Sequence, residues 1–568
     1  MIRFQRITQT VSLALFLWLL YMASHPYVQG VPTDLFLRID PSIGLLSSIA
    51  DRSLISSALI PSLVLVLLTL VFGRFFCGHI CPMGIVIDTA GAVSCGKPRS
   101  RKQHNSYEET SAYRKYKYLF LCILLFCSFG GVSLVFLGSP ISLATRFFAL
   151  VIHPLTLLIA DTGLEMSAPF NHIIPQLDYL QVPVRVFATN EFLALFFLAV
   201  ALLSMTQSRF WCRNLCPTGA ILAIFSLRPL LKRRVNDSCI HCNKCVRECP
   251  TGSITNDHAS NVSSECIVCL KCSSACPVSA VSFGFTSLED ASTNKVMVDS
   301  PFPSRRQAIA GMVTGLTTAG IIRTGWNQPK LMGQEKSLTD SELIRPPGAL
   351  PERDFLSRCV RCGQCMKACP TNTLQPIWLK AGIEGMFSPV LVPRLAACEL
   401  NCATCGHVCP TAAIRPLDIL EKKSVKIGTA WIDRQACLVW NRDRKCLVCD
   451  EVCPYNAVVF KPEVGHGNAV PYVVANKCTG CGWCENKCPI EGASAIRINI
   501  IGEVRLKSGS YIEKAKEYGL EFKTDKAEGD VLAPDTFDIR DDTPVSNRPN
   551  EGAAPGKDHR LPAGFTEE

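Results

Sequence analysis

The chain has 568 residues, a formal net charge of +10 and 31 cysteines, far more cysteine than one globular domain uses. Its mean hydropathy is +0.21, and the apolar residues are concentrated before about residue 230. Basic residues cluster beside these apolar stretches, as at Lys232-Arg233-Arg234, which is the distribution of membrane loops and excludes a nucleic-acid-binding surface. The composition predicts a membrane half joined to cysteine-rich redox modules.

Four apolar stretches are predicted to be transmembrane helices, because each approaches the roughly 20 residues that cross a bilayer core of about 30 Å. They lie at 9–29, 57–76, 118–138 and 190–206. A fifth stretch, 141–160, contains Arg146, His153 and Pro154 and is expected to be interfacial or re-entrant. The fold class predicted for residues 1–230 is an α-helical membrane domain of four to five transmembrane helices.

The charges of the loops predict the orientation of these helices. The N-terminus, the loop at 93–117 and the segment after Met205 are basic, whereas the loops near 30–50 and 160–188 are acidic or mixed. The positive-inside rule then places the N-terminus and the residues from about 207 onward in the cytoplasm, with the chain in a bacterial inner membrane. No cleavable leader is expected, because the first apolar stretch is too long and lacks a small-residue cleavage site.

A second boundary is predicted at 303–325, where Arg305-Arg306 precedes a short apolar run from Ala308 to Ile322. This is the pattern of an internal twin-arginine signal, which carries a folded, cluster-loaded domain across the membrane. The alternatives are a plain short span after a chance arginine pair and a surface helix that does not cross. Both the twin-arginine signal and the plain span place the residues after about 325 in the periplasm.

Two runs of cysteines in residues 231–295 have the Cys-x2-Cys-x2-Cys-x3-Cys-Pro spacing of bacterial two-cluster ferredoxins. Three thiolates of each run can hold one 4Fe-4S cluster, and the proline directs the fourth toward the partner cluster. The predicted ligand sets are Cys239, Cys242, Cys245 and Cys276 for one cluster, and Cys249, Cys266, Cys269 and Cys272 for the other.

Four further runs in residues 345–505 each end in Cys-Pro and recur about every 40 residues, which is the pattern of an internal repeat. They are Cys359-Cys362-Cys365-Cys369, Cys398-Cys402-Cys405-Cys409, Cys437-Cys446-Cys449-Cys453 and Cys478-Cys481-Cys484-Cys488. We expect two fused two-cluster units of the α+β ferredoxin-like fold, periplasmic, for a total of six 4Fe-4S clusters. Which runs exchange their fourth cysteine remains open.

Two alternatives to iron–sulfur ligation are structural zinc sites and, in a periplasmic domain, disulfides. The repeated Cys-Pro endings disfavour both. The tail at 529–568 is rich in Asp, Pro and Gly and is predicted to be disordered.

The motif Cys-x3-Cys-Pro occurs twice in the apolar half, at Cys77 and Cys81 and again at Cys212 and Cys216, each time at the end of a predicted span. The repeat predicts two pseudo-symmetric halves that bring four thiols together, which suits a seventh cluster or a pair of redox-active dithiols. The alternative is a helix-end packing motif in which Pro and Gly end the turn.

On these motifs, residues 1–290 resemble NapH, the membrane quinol-dehydrogenase subunit of periplasmic nitrate reductase systems. Residues 303–500 resemble NapG and the related MauM ferredoxins, through the twin-arginine pattern and the spacing that begins at Cys359 and Cys478. The chain is thus similar to a NapH–NapG fusion, and its membrane motif is shared with NosR-like and CcoG-like proteins. The resemblance implies oxidation of quinol from the quinone pool and electron transfer to a periplasmic reductase or a cytochrome c.

Quinol oxidation needs proton acceptors, and the apolar half offers His79, Asp88, His153 and Asp161, with Arg146 as a contact for the headgroup. Each also has an ordinary interpretation as a loop or interface residue. The sequence has no Cys-x2-Cys-His haem motif and no dinucleotide-binding glycine fingerprint, so the chain is expected to relay electrons and to leave substrate chemistry to a partner. The alternatives are a conduit from cytoplasmic ferredoxin and an assembly factor for a periplasmic metalloenzyme.

Overall fold

A computed structural model describes residues 2–28, 30–93, 107–167, 184–255, 260–285, 302–324 and 343–522, together with residues 182 and 257. These residues form two compact units. The first comprises the chain up to residue 392 with 401–419 and 505–507, and the second comprises 393–400, 420–504 and the residues from 508 onward. This division runs through the predicted 345–505 domain. The predicted tail at 529–568 lies outside the described residues.

The apolar half of the first unit is helical. Continuous apolar runs supply the helices, and Pro41, Pro140 and Pro217 occupy the first turn of three of them, where a missing N–H costs nothing. The helices are α1 Ile2–Met22, α2 Leu35–Ile39, α3 Pro41–Asp51, α4 Ser56–Phe72, α5 Phe75–His79, α6 Pro82–Val93, α7 Tyr107–Phe129, α8 Pro140–Phe147, α9 His153–Ser167, α10 Asn190–Thr206, α11 Phe210–Asn214 and α12 Pro217–Phe225. A π-helical turn, Phe148–Ile152, joins α8 to α9.

The structure corrects the prediction of four to five transmembrane helices. Among the described helices, one continuous helical segment, Pro140–Met166, is both long and apolar enough to cross a membrane. This segment contains the 141–160 stretch that was expected to be interfacial or re-entrant. Arg146 does not prevent a continuous helix here, because its side chain is buried and bound inside the protein rather than presented to lipid. The stretches at 57–76 and 190–206 correspond to shorter apolar helices, Ser56–Phe72 and Asn190–Ser204.

The first ferredoxin module follows α12 and has the short strands expected of a fold held by its ligands. Strand β1 Leu231–Val235 pairs antiparallel with β2 Val281–Phe285. Two short helices, α13 Lys244–Glu248 and α14 Lys271–Ser274, lie between the strands. Val246, Ile254 and Val281 form a small core beside the cysteines.

The predicted signal segment at 303–325 forms helix α15, Arg305–Arg323, which begins with a capping box between Ser304 and Gln307. It packs along α7 through the small residues Gly311, Gly315 and Ala319. Small residues at every fourth position let two helix backbones approach closely. The two helices run parallel, because residues near the start of α15 face Cys122 and its end faces Gly131.

A second ferredoxin module, built from residues 343–391 and 401–419, also belongs to the first unit. Its elements are α16 Glu352–Arg358, α17 Gln364–Ala368, β3 Leu374–Pro376, α18 Gly382–Gly385, β4 Pro389–Leu391 and α19 Thr404–His407, with β3 and β4 antiparallel. Buried polar contacts fix it to the helices. Lys367 Nζ donates to the carbonyl of Leu20 (2.6 Å) and to those of Tyr21 and Ala23 at the end of α1, and Arg358 pairs with Asp51 (2.8 Å).

The two modules of the first unit occupy opposite ends of the helices. The start of α1 contacts α5, which adjoins the first module: Gln9 donates to the carbonyl of Gly78 (3.0 Å), and Gly78 lies against the carbonyl of Ile267. The end of α1 accepts from Lys367. Helix α4 repeats this arrangement, since Ser57 donates to the carbonyl of Pro410 and Phe72 contacts Phe285. The helices therefore separate the two modules.

The second unit is another ferredoxin-like module. Its strands form two antiparallel pairs, Thr429–Ile432 with Ile496–Asn499 and Val458–Lys461 with Val470–Val473. Its elements are α20 Ile419–Lys423, whose first residue belongs to the first unit, β5 Thr429–Ile432, α21 Leu438–Arg442, α22 Val448–Glu451, β6 Val458–Lys461, β7 Val470–Val473, α23 Trp483–Lys487, β8 Ile496–Asn499 and α24 Tyr511–Glu517.

Candidate functional site

Among the described residues, five cavities are each lined by four cysteines. Three lie in the first unit and are lined by Cys239, Cys242, Cys245 and Cys276, by Cys249, Cys266, Cys269 and Cys272, and by Cys359, Cys362, Cys365 and Cys409. Two lie in the second unit and are lined by Cys437, Cys446, Cys449 and Cys488, and by Cys453, Cys478, Cys481 and Cys484. In each set, the fourth cysteine of one run joins three cysteines of a neighbouring run.

The sequence left this exchange open for residues 345–505, and the structure supplies it. Cys409 faces the Cys359 run, and Cys453 and Cys488 are exchanged between the last two runs. The other four predicted ligands are Cys369, Cys402 and Cys405 in the first unit and Cys398 in the second. All the described cysteines are free thiols, and no group of three His, Cys, Asp or Glu among the described residues is arranged to hold a single metal ion.

The backbone of the regular ligand loops is curled around the cysteines. In each loop the second ligand lies between two residues of left-handed conformation, as Cys242 lies between His241 (φ 50°) and Asn243 (φ 60°). Cys269, Cys362 and Cys481 are likewise each flanked by two residues of left-handed conformation. Alternating right- and left-handed residues turn successive N–H groups toward one point, which forms a site for anions such as thiolates and sulfide.

The fourth ligands of both runs in the first module receive backbone hydrogen bonds. The N–H of Ser253 donates to Cys249 Sγ, and that of Ala280 donates to Cys276 Sγ, each at 3.3 Å. Although burial raises the pKa of Cys249, the hydroxyl and amide donors of Ser253 and Thr251 outweigh it and hold the pKa below its ordinary value. These loops therefore fit 4Fe-4S clusters, because four converging thiols and inward N–H groups suit a sulfide-rich anionic group.

The two Cys-x3-Cys-Pro motifs meet at one place, the four-thiol site, formed by Cys77, Cys81, Cys212 and Cys216. Burial raises the pKa of Cys216 far above its ordinary value, and the neighbouring Cys212 and Cys77 raise it further. Cys212 has its pKa raised to about 11, chiefly by burial. Bound iron would add positive charge that favours thiolates here.

Two buried arginines make the four-thiol site pseudo-symmetric. Arg74 and Arg209 precede the two motifs and are about 2% and 1% exposed. Each reaches the other half: Arg209 donates to the carbonyl of Cys77 (2.7 Å), while Arg74 lies against Gly219. A Cβ at Gly219 would sit 2.9 Å from an Arg74 nitrogen, so a larger residue here would displace the Arg74 guanidinium. The donor set and its flanking cations fit a redox-active metal cluster.

The four-thiol site adjoins the first ferredoxin module. His79 shares one hydrogen bond with Thr8 (2.9 Å) and another with the carbonyl of Val268 (3.1 Å), and a Cβ at Gly78 would clash with the carbonyl of Ile267. Ile267 and Val268 lie between the ligands Cys266 and Cys269. Two candidate redox sites are thus joined by direct backbone contact.

A buried ion network sits at this junction. Glu265 Oε1 and Oε2 each lie 2.6 Å from Lys117 Nζ, and Glu265 also pairs with Arg74 (3.2 Å). Burial alone would raise the pKa of Glu265, but Lys117, Arg74 and Arg114 overcome it and hold the pKa at about 2. Arg114 donates to the carbonyls of Thr251 and Gly252 in the same module.

The five predicted quinol residues do not converge. His79 and Asp88 lie at the end of the helices that faces the first module, and Asp88 is paired with Arg209 (2.7 Å), which holds its pKa at about 2 despite burial. Arg146 lies at the opposite end, where it donates to the carbonyl of Arg361 (2.6 Å) and stacks on Phe136 and Phe387. His153 begins α9 beside the π-helical turn, and Asp161 lies two turns further along α9.

Sequence reasoning missed Asp40. Its carboxylate is fully buried and accepts from the hydroxyls of Ser139 (2.6 Å), Thr218 (2.7 Å) and Ser42 (2.8 Å). Burial raises the pKa of Asp40, although these hydroxyls oppose the shift. The signal that could have found it is Asp40-Pro41-Ser42, a helix-start pattern that places an acidic N-cap inside an apolar region.

Sequence profiles of known families match the ligand regions. A profile described as a 4Fe-4S binding domain matches 55–103 and 189–236, which contain the two Cys-x3-Cys-Pro motifs. Profiles described as 4Fe-4S dicluster domains match 231–277 and 444–491, and another 4Fe-4S binding domain matches 355–375. The predicted presence of several ferredoxin-type 4Fe-4S domains is confirmed.

Known proteins resemble about a third of the chain. It is 34% identical over 206 residues to the methylamine utilization ferredoxin-type protein MauM of Methylorubrum extorquens, covering 34% of this chain and 89% of that protein. It is 34% identical over 167 residues to the ferredoxin-type protein NapG of Escherichia coli K12, covering 28% and 71%. It is 31% identical over 157 residues to NapF of the same organism, covering 27% and 84%.

Proposed function

Because the chain belongs to the family of ferredoxin-type iron–sulfur proteins that includes MauM and NapG, we propose that it takes electrons from quinol and passes them through 4Fe-4S clusters to a periplasmic reductase or a cytochrome c. A 4Fe-4S cluster, when bound, exchanges one electron at a time at a potential set by its surroundings. The protein's own residues position the ligands and exclude water.

The observation that carries this proposal is the placement of two ferredoxin modules at opposite ends of one set of helices, with four thiols between them. Redox sites on two sides of an apolar layer suit transfer across it. Such a layer is about 30 Å thick, so transfer needs an intermediate site. The contact of Gly78 and His79 with the Cys266–Cys269 loop supports the four-thiol site as that intermediate.

The proposal includes a place in the bacterial inner membrane, with the first module on the cytoplasmic side and the Cys359 module on the periplasmic side. Apolar side chains on the outer faces of the helices support it, since Leu63, Leu67 and Leu195 are 54–64% exposed, as lipid-facing residues would be. The basic loops support the orientation. Helix α15 runs parallel to α7 and so leads the chain from the first side to the second.

We also propose that the chain combines a NapH-like part with a NapG-like part. For the quinol site, His153 is the favoured proton acceptor among the five candidates. It follows a π-helical turn, a local irregularity that is frequent at functional sites, whereas His79 and Asp88 are already engaged in hydrogen bonds and an ion pair.

The test is anaerobic mixing of the purified full-length protein with a reduced quinol, followed by cluster absorbance. Bleaching by quinol, weakened in His153→Gln, supports the proposal. Bleaching only by reduced ferredoxin would assign the chain as a conduit from the cytoplasm. If neither quinol nor reduced ferredoxin bleaches the cluster absorbance, the electron-transfer proposal is wrong and an assembly role is favoured.

A further inference from the structure

A line of buried hydrogen bonds runs through the helices from the four-thiol site to the Cys359 module. We infer that this line, centred on Asp40, is the bridge by which an electron passes between the four-thiol site and the cluster site of Cys359, Cys362, Cys365 and Cys409. The inference rests on the proposed function, because it requires sites that carry electrons.

The first link starts at the four-thiol site. Cys216 is the N-cap of α12, and Thr218, two residues later, donates to Asp40 Oδ1 at 2.7 Å. Ser42 donates to the same oxygen and shares a 3.0 Å contact with Thr218. The path from Cys216 to the Asp40 carboxylate therefore consists of two residues of backbone and one hydrogen bond.

The second link leads from Asp40 to the Cys359 loop. Ser139 donates to Asp40 Oδ2 at 2.6 Å, and its Oγ accepts from the N–H of Ser142 (3.2 Å). The hydroxyl of Ser142 then donates to the carbonyl of Val360 at 2.7 Å. Val360 is bonded directly to Cys359, so the line ends at a predicted ligand of the second site.

The arrangement exceeds what helix capping requires. One acidic N-cap needs a single amide partner, yet both oxygens of Asp40 are used and three helices, α3, α8 and α12, are joined at their N-termini. Asp40 is fully buried, as are Ser42, Ser139 and Ser142. Buried polar groups in such a chain are ordered and shielded from water, which are the properties an electron-transfer bridge needs.

The step balances as a single electron transfer. One electron leaves a reduced site on the side of the first module, passes by way of the four-thiol site, and enters the oxidised site of Cys359 and its partners. The donor is oxidised by one electron and the acceptor is reduced by one, and no covalent bond or proton changes place. Thr218, Asp40, Ser139 and Ser142 hold the contact.

The experiment uses full-length protein in sealed vesicles of phosphatidylethanolamine and phosphatidylglycerol, with membrane-impermeant dithionite added outside. The absorbance of all clusters is followed before and after detergent is added. Thr218→Val and Ser142→Ala each remove one link while nearly preserving shape. Thr145→Val is the matched control, because the hydroxyl of Thr145 is buried in α8 and donates to the carbonyl of Ile141 in its own helix, away from the line.

We expect the wild type and the control to bleach fully in one fast phase. In the two test variants the clusters on the far side should bleach about tenfold more slowly, equivalent to about 1.4 kcal/mol in the barrier, until detergent opens both sides. Reduction potentials from an EPR titration and hydrogen exchange at the starts of α3, α8 and α12 should match the wild type.

Wild-type bleaching rates in both variants would overturn the bridge, as would slowing that appears only together with faster hydrogen exchange in these helices. Asp40→Asn provides a third variant if either fails to fold, since it keeps one acceptor and removes the charge. Dithionite replaces quinol as the electron donor in this experiment. If quinol does not bleach the clusters but dithionite reveals the bridge, the quinol proposal fails and this inference stands.

Discussion

Glu265 offers the sharpest test of how the first ferredoxin module is held on the helices. It is about 1% exposed and compensates Arg74, Arg114 and Lys117, which are 0–2% exposed. Glu265→Gln preserves the size of the side chain but removes its charge, which leaves buried cations without a counter-ion. Removing one partner of a buried ion pair costs about 3–5 kcal/mol.

This cost should appear as local opening at the junction, because the network joins α5, α7 and the loop before Cys266. A loss of about 3–5 kcal/mol corresponds to roughly two to four powers of ten in an opening equilibrium. Hydrogen exchange of the amides in 74–81 and 263–270 should therefore accelerate by that factor. The reduction potential of the Cys266 site should also rise, because a nearby negative charge that opposes reduction has been removed.

Glu248→Gln is the matched control, since Glu248 is an exposed carboxylate of the same module. It should leave hydrogen exchange at the junction unchanged. If Glu265→Gln behaves like Glu248→Gln, the ion network does not hold the junction, and the reasoning from buried charge is wrong.

Three further variants test other contacts. Gly219→Ala places a Cβ 2.9 Å from an Arg74 nitrogen. It should displace Arg74 and reduce the absorbance from the four-thiol site, while the ferredoxin clusters remain. Gly163→Ala, with open space around the added Cβ, is the control. Cys212→Ser should lower iron content by about four atoms per chain if a 4Fe-4S cluster is bound there, and unchanged iron would favour a dithiol pair. Lys367→Met leaves the carbonyls at the end of α1 without their donor, which costs about 1–3 kcal/mol. Limited proteolysis should therefore cut residues 343–419 faster in this variant than in the control Lys514→Met. Equal rates would show that Lys367 does not hold the second module on α1.

The sequence predicted the ligand loops well because their spacing is a local property. Three cysteines within seven residues specify a ligand loop wherever it lies, and the presence of several 4Fe-4S domains follows from that. The exchange of Cys409, Cys453 and Cys488 was not predictable, since it depends on which loops pack together. Nothing within a single run carries that information.

The helices were harder to predict for a related reason. The segment around Arg146 looked too polar to span an apolar layer, but its charge is satisfied by the carbonyls of Arg361 and Phe136, one of which lies 215 residues away. Asp40 escaped notice because its partners Ser139 and Thr218 are 99 and 178 residues distant. Polar residues in an apolar region acquire their meaning from partners that only folding brings near.

The left-handed residues around the second ligands of the four regularly spaced loops carry a consequence for biogenesis. His241, Val268 and Arg361 have side chains that disfavour positive φ, at a cost of about 1–2 kcal/mol per residue. Without iron and sulfide, the cluster contacts that offset that cost are lost, and these loops should relax to ordinary backbone. A newly made chain deprived of iron would then expose disordered thiol-rich loops to proteases, so its abundance in the cell should follow the supply of iron–sulfur clusters.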